Sequence, residues 1–255
     1  MRQLVLPGDK GEEKRLALDE KTSRYLLRVL RMGQDDVFPA IDEAGHAFLC
    51  TIEAIEPELI VSLLARVESA AGLRMALVQA LPKGPKLDLI VRQAVEAGVE
   101  AIFPIQTRHC VVREASEKDK ADKLERRRKI VKEALQQSGS ATTTKIFSTT
   151  TMADLDARLS AEGYPEDGSL RLIFHELPLG HVTLHEYCAG EQLPTVILVG
   201  PEGGFAPDET EAFLAMGFKP VHFEGTILRT ETAALFALAA TKTILMEKAS
   251  WTLSK

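Results

Sequence analysis

The sequence predicts an α/β protein in two parts: a small closed β-barrel over residues 1–72 and a helix-covered parallel sheet over residues 73–255. Three observations carry this. Before Gly72, short apolar runs are separated by turn signals at close spacing. After Gly72, apolar strand-length runs alternate with helix-length amphipathic stretches, the pattern of a parallel sheet with crossover helices. Near the carboxyl end, a buried-looking strand breaks into a loop with three glycines in five residues, Gly200-Pro201-Glu202-Gly203-Gly204.

In the first part, strands are expected at Gln3–Leu6, Asp35–Ile41, His46–Ile55 and Leu59–Ala65, with Asp42-Glu43-Ala44-Gly45 as a hairpin loop. Phe48, Cys50 and Ile52 alternate with Ala47, Leu49 and Thr51, so one face of that strand turns inward. Lys21–Met32 reads as a helix or helical turn with Leu26, Leu27 and Leu30 as its apolar positions. In the second part, strands are expected at Met75–Ala80, Ala101–Thr107, Leu170–His175, Thr195–Val199 and Pro220–Phe223. Helices are expected near Pro85–Ala97, Asp119–Ser138, Met152–Ala161, Pro207–Met216 and Glu231–Ser250. Pro207 sits at a first helical position, Asp208 and Glu209 fall in the positive first turn, and Gly217 ends that helix. Ser138 to Thr151 is a Ser/Thr-rich connector.

Composition narrows the class. The 255 residues are 45% hydrophobic and 27% charged, ordinary for a globular protein. No apolar run reaches the roughly 18 residues of a membrane span. Charged residues from Asp9 to Arg15 follow the first apolar run where a signal-peptide core would continue. Cys50, Cys110 and Cys188 are odd in number and far apart, against both a disulfide framework and a zinc site, and the cytoplasm is the expected compartment. The sequence has neither GxxxxGK[ST] nor a post-strand GxGxxG, which excludes a P-loop NTPase and disfavours a dinucleotide or Rossmann-type site.

The net charge of −6 is unfavourable for a nucleic-acid enzyme, since Lys and Arg neutralise phosphates. Two local clusters offset it. Lys118 to Lys132 holds Lys120, Lys123, Arg126, Arg127, Arg128 and Lys129, and Arg24, Arg28 and Arg31 recur near the amino end. Each reads either as a basic patch or as a solvated face with i,i+4 pairs.

Two segments carry the chemistry. Leu198-Val199-Gly200-Pro201-Glu202-Gly203-Gly204-Phe205 lets backbone N–H groups approach a ligand, because no Cβ stands in the way. Ile227-Leu228-Arg229-Thr230-Glu231-Thr232-Ala233 follows a second strand and a Gly225 turn and opens an alanine-rich helix. Two such loops at the carboxyl ends of strands describe a nucleotide-type pocket.

The pair GPEGGF and ILRTETA resembles the signature of the RsmE family, the 16S rRNA uracil-N3 methyltransferases of the SPOUT superfamily. Lys83-Gly84-Pro85-Lys86-Leu87-Asp88, Val91 to Val99, Glu133 to Gly139 and Leu27-Arg28-Val29-Leu30-Arg31 resemble further family segments, so the likeness covers nearly the whole chain. The chain departs from the pattern at several basic positions, which stand here as Gln93, His109 and Ser140. The resemblance implies a C-terminal trefoil knot, a PUA-like N-terminal barrel that binds RNA, a homodimer, and S-adenosylmethionine as cofactor. It implies 16S rRNA or the small ribosomal subunit as the partner.

On that resemblance, cofactor contacts fall at His175, Leu198, Val199, Gly200, Glu202, Gly203, Gly204, Gly225, Ile227, Leu228, Thr230 and Ala233. RNA contacts fall at Arg24, Arg28, Arg31, Arg92 and Arg108, and the resemblance favours the basic-patch reading of both basic clusters. Arg229 is the candidate for stabilising charge on the target base, and Glu231 either orients Arg229 or caps the helix. Thr230 and Thr232 read as helix caps and not as catalysts. His222 reads as a surface or satisfied core residue. Two other functions stay open: methylation of another RNA site such as a ribose 2′-oxygen, and an RNA-binding or ribosome-assembly protein without turnover.

Overall fold

The computed structural model describes residues 3–251, except 12, 68–71 and 115. The chain divides into two compact units, Met1–Gly72 with Lys132–Thr143, and Leu73–Val131 with Thr144–Lys255.

The first unit is a curled five-stranded sheet in the order β1-β3-β4-β5-β2: β1 (Leu4–Leu6), β2 (Arg15–Ala17), β3 (Val37–Asp42), β4 (Ala47–Ala54) and β5 (Ile60–Val67). β1 joins β3 in parallel, and the other pairings are antiparallel. The period-2 pattern of β4 holds, with Phe48, Cys50 and Ile52 buried in a core that also contains Leu4, Leu6, Leu26, Phe38 and Val61. β2 lies in a charged stretch that gives no strand signal, and its Leu16 packs only partly buried against that core. The expected helix at Lys21–Met32 is a short α1 (Glu20–Arg24), capped by Asp19, running into a π turn over Tyr25–Val29. Residues 132–143 pack with this unit: the Gln3 side chain donates to Leu135 O (3.0 Å) and Ser140 O (2.9 Å).

The second unit is a parallel sheet in the order β12-β10-β11-β6-β7-β8, with β9 also on β7. The strands are β6 (Met75–Ala80), β7 (Ala101–Gln106), β8 (Lys145–Ile146), β9 (Thr150–Thr151), β10 (Leu170–Phe174), β11 (Thr195–Val199) and β12 (Lys219–Val221). β6, β10 and β11 are buried along their whole length, which is why they read as continuous apolar runs rather than alternating ones. Arg171 on β10 is the charged exception. It is 1% exposed and donates to Asp156, Met216 O and Tyr164 O while lying over the Phe218 ring.

The helices of this unit are α2 (Lys86–Glu96), α3 (Glu117–Ser138), α4 (Met152–Ala161), a short α5 (Leu184–Cys188), α6 (Pro207–Ala215) and α7 (Thr230–Trp251). α2 buries Leu87, Ile90, Val91, Ala94 and Val95, one face of a 3.6-residue period. α2 packs on α7, and Lys242 donates to Ala97 O (2.7 Å) just past the end of α2. Pro207 opens α6 and Gly217, at φ +80°, stops it as expected. No described helix is long and apolar enough to cross a membrane.

The basic run on α3 resolves as the solvated-face reading. Lys120 pairs with Glu117, Lys123 with Asp119, Arg126 with Asp88, and Arg128 with Glu125. Arg127 turns inward onto Glu114. These short-range pairs cancel much of the charge that a basic patch would need.

In the first unit, buried Asp42 organises the β3–β4 turn. Its carboxylate accepts from Lys10 N (2.8 Å) and His46 N (2.7 Å) and lies 3.0 Å from His46 Nδ1, which is also 3.3 Å from Asp9. Burial would raise the Asp42 pKa, but these partners outweigh it and hold the carboxyl below the usual Asp range. A depressed folded-state pKa stabilises the fold above the unfolded-state pKa, and that stability is lost as pH falls through the folded-state value. Asp42→Asn should therefore destabilise the protein by about 1–3 kcal/mol at neutral pH. Thermal unfolding of the two forms should start to converge as pH falls below about 4 and meet only below the depressed folded-state pKa; a difference constant with pH would refute this role.

Candidate active site

Parallel pairing brings the carboxyl ends of β10, β11 and β12 to one side of the sheet, in adjacent positions. The loops leaving these ends enclose a cavity of about 470 Å³, the size range of a cofactor site. The lining residues are 174–176 from the end of β10, 199–205 from the end of β11, and 221–223, 225–230 and 233 from the end of β12 onward.

The first glycine loop is locked from behind. Gly204 N–H donates to Pro201 O (3.0 Å), and Gly204 sits at φ +65°, which disfavours any residue with a Cβ. A Cβ on Gly203 would lie 3.0 Å from the His109 Cβ. His109 Nδ1 donates to Gly203 O (2.9 Å) and lies 3.3 Å from Gly204 O, so its tautomer carries the proton on Nδ1. His109 thus takes a structural post under the loop.

A buried polar latch ties this loop to the second one. Thr230 Oγ1 donates to Gly200 O (2.7 Å) and accepts from Gln79 Nε2 (3.1 Å). Gln79, fully buried at the end of β6, also donates to Ala80 O (2.9 Å) and lies 3.4 Å from Val199 O and Gly200 O. Thr230 therefore fastens two loops instead of capping α7, whose first backbone bond runs from Ala233 N to Arg229 O (2.7 Å).

A charged latch sits beside it. Glu202 accepts from Lys83 N (3.1 and 3.2 Å to its two oxygens) and from Lys86 Nζ (2.9 Å), and Lys86 Nζ is 3.2 Å from Glu231 Oε2. Burial would push the Glu202 carboxyl up, yet Lys86 and the backbone N–H groups hold it below its ordinary value. The Glu202 hydrogen bond raises the Lys86 pKa. Glu231 accordingly pairs with Lys86 on α2 and does not orient Arg229. Sequence order gave no hint of this, since Lys86 and Glu231 lie on separate helices.

The cavity wall itself is mixed. Phe174, Phe223 and Phe236 form a cluster with ring centroids 5.2 and 4.7 Å apart. Of the charged lining side chains, Glu176 and Arg229 make no pair with any described residue, which leaves one anion and one cation for a ligand. Ile227 is 85% exposed on the rim.

Of the expected cofactor contacts, His175, Val199, Gly200, Glu202, Gly203, Gly204, Gly225, Ile227, Leu228, Thr230 and Ala233 all line the cavity. Leu198 does not: it is buried in β11, one residue short of the strand end. His222, read as a surface or satisfied core residue, is half-buried with Nδ1 3.2 Å from His175 O and lines the cavity, a place its sequence context did not indicate. Arg229 lines the cavity, exposed and unpaired. Among the expected RNA contacts, Arg28, Arg31 and Arg92 are exposed with no described partner, and Arg24 pairs with Glu20 (2.8 Å). Arg108 is spoken for, because its guanidinium makes two bonds to Asp208 (2.7 and 2.5 Å).

The comparisons with known proteins agree with this geometry. Residues 69–242 match the family model described as an RNA methyltransferase domain, and residues 18–64 match an RNA methyltransferase PUA domain. The chain belongs to the RsmE-type RNA methyltransferase family. It is 31% identical over 225 residues to Ribosomal RNA small subunit methyltransferase E of Mycobacterium bovis, covering 87% of this chain and 83% of that one. It is 29% identical over 247 residues to the protein of that name from Synechocystis, covering 95% and 78%. A crystal structure of the Neisseria gonorrhoeae Ribosomal RNA small subunit methyltransferase E bound to S-adenosyl methionine superposes with a TM-score of 0.76. That structure is 28% identical and covers 96% of this chain and 98% of its own. The methyltransferase sheet and the N-terminal PUA unit are thus both family features.

The buried latch yields a stability prediction. Thr230→Val keeps the shape but leaves the Gly200 carbonyl and one Gln79 N–H short of a partner, at a cost of about 1–3 kcal/mol. Denaturant unfolding should show that loss and Thr230→Ser should recover most of it; equal loss in both would assign the effect to packing.

Proposed function

We propose that this protein transfers the methyl group of S-adenosylmethionine to N3 of a uridine in 16S rRNA, acting on the small ribosomal subunit as a homodimer. The observation that carries the reading is the cavity formed by the GPEGGF and ILRTETA loops in a chain of this family. The residues fit the cofactor. Gly200, Gly203 and Gly204 keep side chains off the wall, Phe174 and Phe223 supply apolar surface, and unpaired Glu176 and Arg229 suit a ligand bearing both signs of charge. S-adenosylmethionine supplies a methyl group already activated on a sulfonium, so the protein needs no covalent step of its own.

What remains for the chain is alignment and charge. The latched loops hold the cavity's two sides rigid, which serves in-line approach of an acceptor nitrogen. N3 of uracil must lose its proton, and the negative charge spreads onto the flanking oxygens. Arg229, exposed at the cavity and free of a carboxylate partner among the described residues, places a permanent positive charge where that anion develops. Arg28 and Arg31 on the PUA unit and Arg92 on α2 remain free to meet phosphates, unlike Arg108. Exposed Leu235, Phe236 and Met246 on α7 give the homodimer an apolar helix face to use. The trefoil knot and the cytoplasmic location belong to the same reading.

The test is methyl incorporation from labelled S-adenosylmethionine into purified small ribosomal subunits, followed by nucleoside analysis. Recovery of 3-methyluridine is expected; a 2′-O-methylated nucleoside, or none with cofactor binding intact, would overturn the acceptor. Arg229→Ala should lower turnover by about 10²-fold or more, the scale of one lost electrostatic stabiliser. Its unfolding curve should stay unchanged, and near-normal turnover would remove Arg229 from the mechanism.

A further inference from the structure

The Lys83-Gly84-Pro85-Lys86 connector lines no part of the cavity, yet it contacts Glu202 in the glycine loop and Glu231, next to the lining residue Thr230. We propose that Lys86 is a positioning residue for methyl transfer, an ammonium bridge between Glu202 of the first glycine loop and Glu231 of the α7 first turn that sets the separation of the two cavity walls. This deepens the proposed function and rests on its assignment of the cavity to S-adenosylmethionine.

Three observations support it. The geometry is three-centred, with one ammonium 2.9 Å from Glu202 and 3.2 Å from Glu231. Side-chain exposures of 30%, 22% and 17% for Lys86, Glu202 and Glu231 separate it from an ordinary surface pair, which solvent would screen. Glu202 has no slack, because Lys83 N–H holds both its oxygens and fixes the carboxylate against the connector. The elements joined are α2, the loop after β11 and α7, three segments far apart in sequence that the cavity needs in register. The buried Gln79–Thr230–Gly200 contacts fasten the base of the same loops, and Lys86 fastens their outer part.

Loss of the ammonium leaves two half-buried carboxylates facing each other. Their repulsion drives the glycine loop from α7, although the substituted residue, Lys86, is not itself part of the cavity wall. A purely packing role predicts something different: replacing the stem with an apolar side chain of similar length would be harmless, and removing a carboxylate would not help.

The experiment compares wild type, Lys86→Met, Lys86→Arg and the double variant Lys86→Met/Glu231→Gln, which removes one repelling charge outside the cavity lining. Calorimetric titration with S-adenosylmethionine is run alongside amide hydrogen exchange of the ligand-free proteins. Lys86→Met is expected to weaken binding about tenfold, the low end of the coupling between close charge pairs, as suits a partly solvated ammonium. It should also speed exchange over residues 200–206 and the first turn of α7. Lys86→Arg should stay near wild type, and the double variant should recover most of both effects because one repelling charge is gone. Unchanged exchange and affinity in Lys86→Met would overturn the proposal, and so would a defect that the second substitution fails to relieve. Should wild type itself not bind S-adenosylmethionine while Lys86→Met still loosens the loops, the positioning role stands and the cofactor assignment falls.

Discussion

The parallel pairing of β12, β10, β11 and β6 is the constraint on which the rest depends. It places four carboxyl ends on one side of the sheet, so loops separated by dozens of residues in sequence leave the sheet as neighbours. Burial of β6, β10 and β11 along their whole length makes that arrangement stiff, because a slip of one residue would drag apolar side chains out of the core. The cavity inherits its shape from this frame.

Stiff strand ends do not by themselves fix glycine loops, which have wide conformational freedom. Two sets of polar contacts remove it. The neutral set, Gln79 with Thr230 and Gly200 O, is buried and acts where unpaired groups are costly. The charged set, Lys86 with Glu202 and Glu231, lies nearer solvent and acts through a shared cation. His109 adds a third hold from beneath, through the carbonyls of Gly203 and Gly204. A loop pinned by its own carbonyls and carboxylate can offer its remaining surface to a ligand at little ordering cost.

Charge is managed in the same economical way. The acidic chain answers many of its basic side chains with nearby carboxylates, on α3 and at Arg108 alike. The exposed arginines without such a partner among the described residues include Arg229 at the cavity, Arg92 on α2, and Arg28 and Arg31 on the PUA unit. An RNA enzyme of net charge −6 needs few such positions if they are the ones that meet phosphate or base.

The sequence by itself determined the fold class, the two-part texture, and the strands and helices whose apolar periods are strong, including Met75–Ala80, Thr195–Val199 and Met152–Ala161. It also marked the glycine-loop and helix-opening residues of the cavity wall, because those signals leave a local trace, and missed the wall residues Phe174, Val221, His222, Phe223 and Thr226. The tertiary structure alone decided what the polar side chains do. Glu231 lies two residues from Arg229 but pairs with Lys86; Arg108 turns to Asp208; Thr230 binds a carbonyl thirty positions away and does not cap its own helix. Hydrogen bonds and ion pairs form with whatever the fold brings within about 3 Å, and that neighbourhood is set by sheet order, which no window of sequence contains. The segment 132–143 makes the same point at larger scale: it continues a helix of the second unit yet packs with the first, through Gln3, at the other end of the chain.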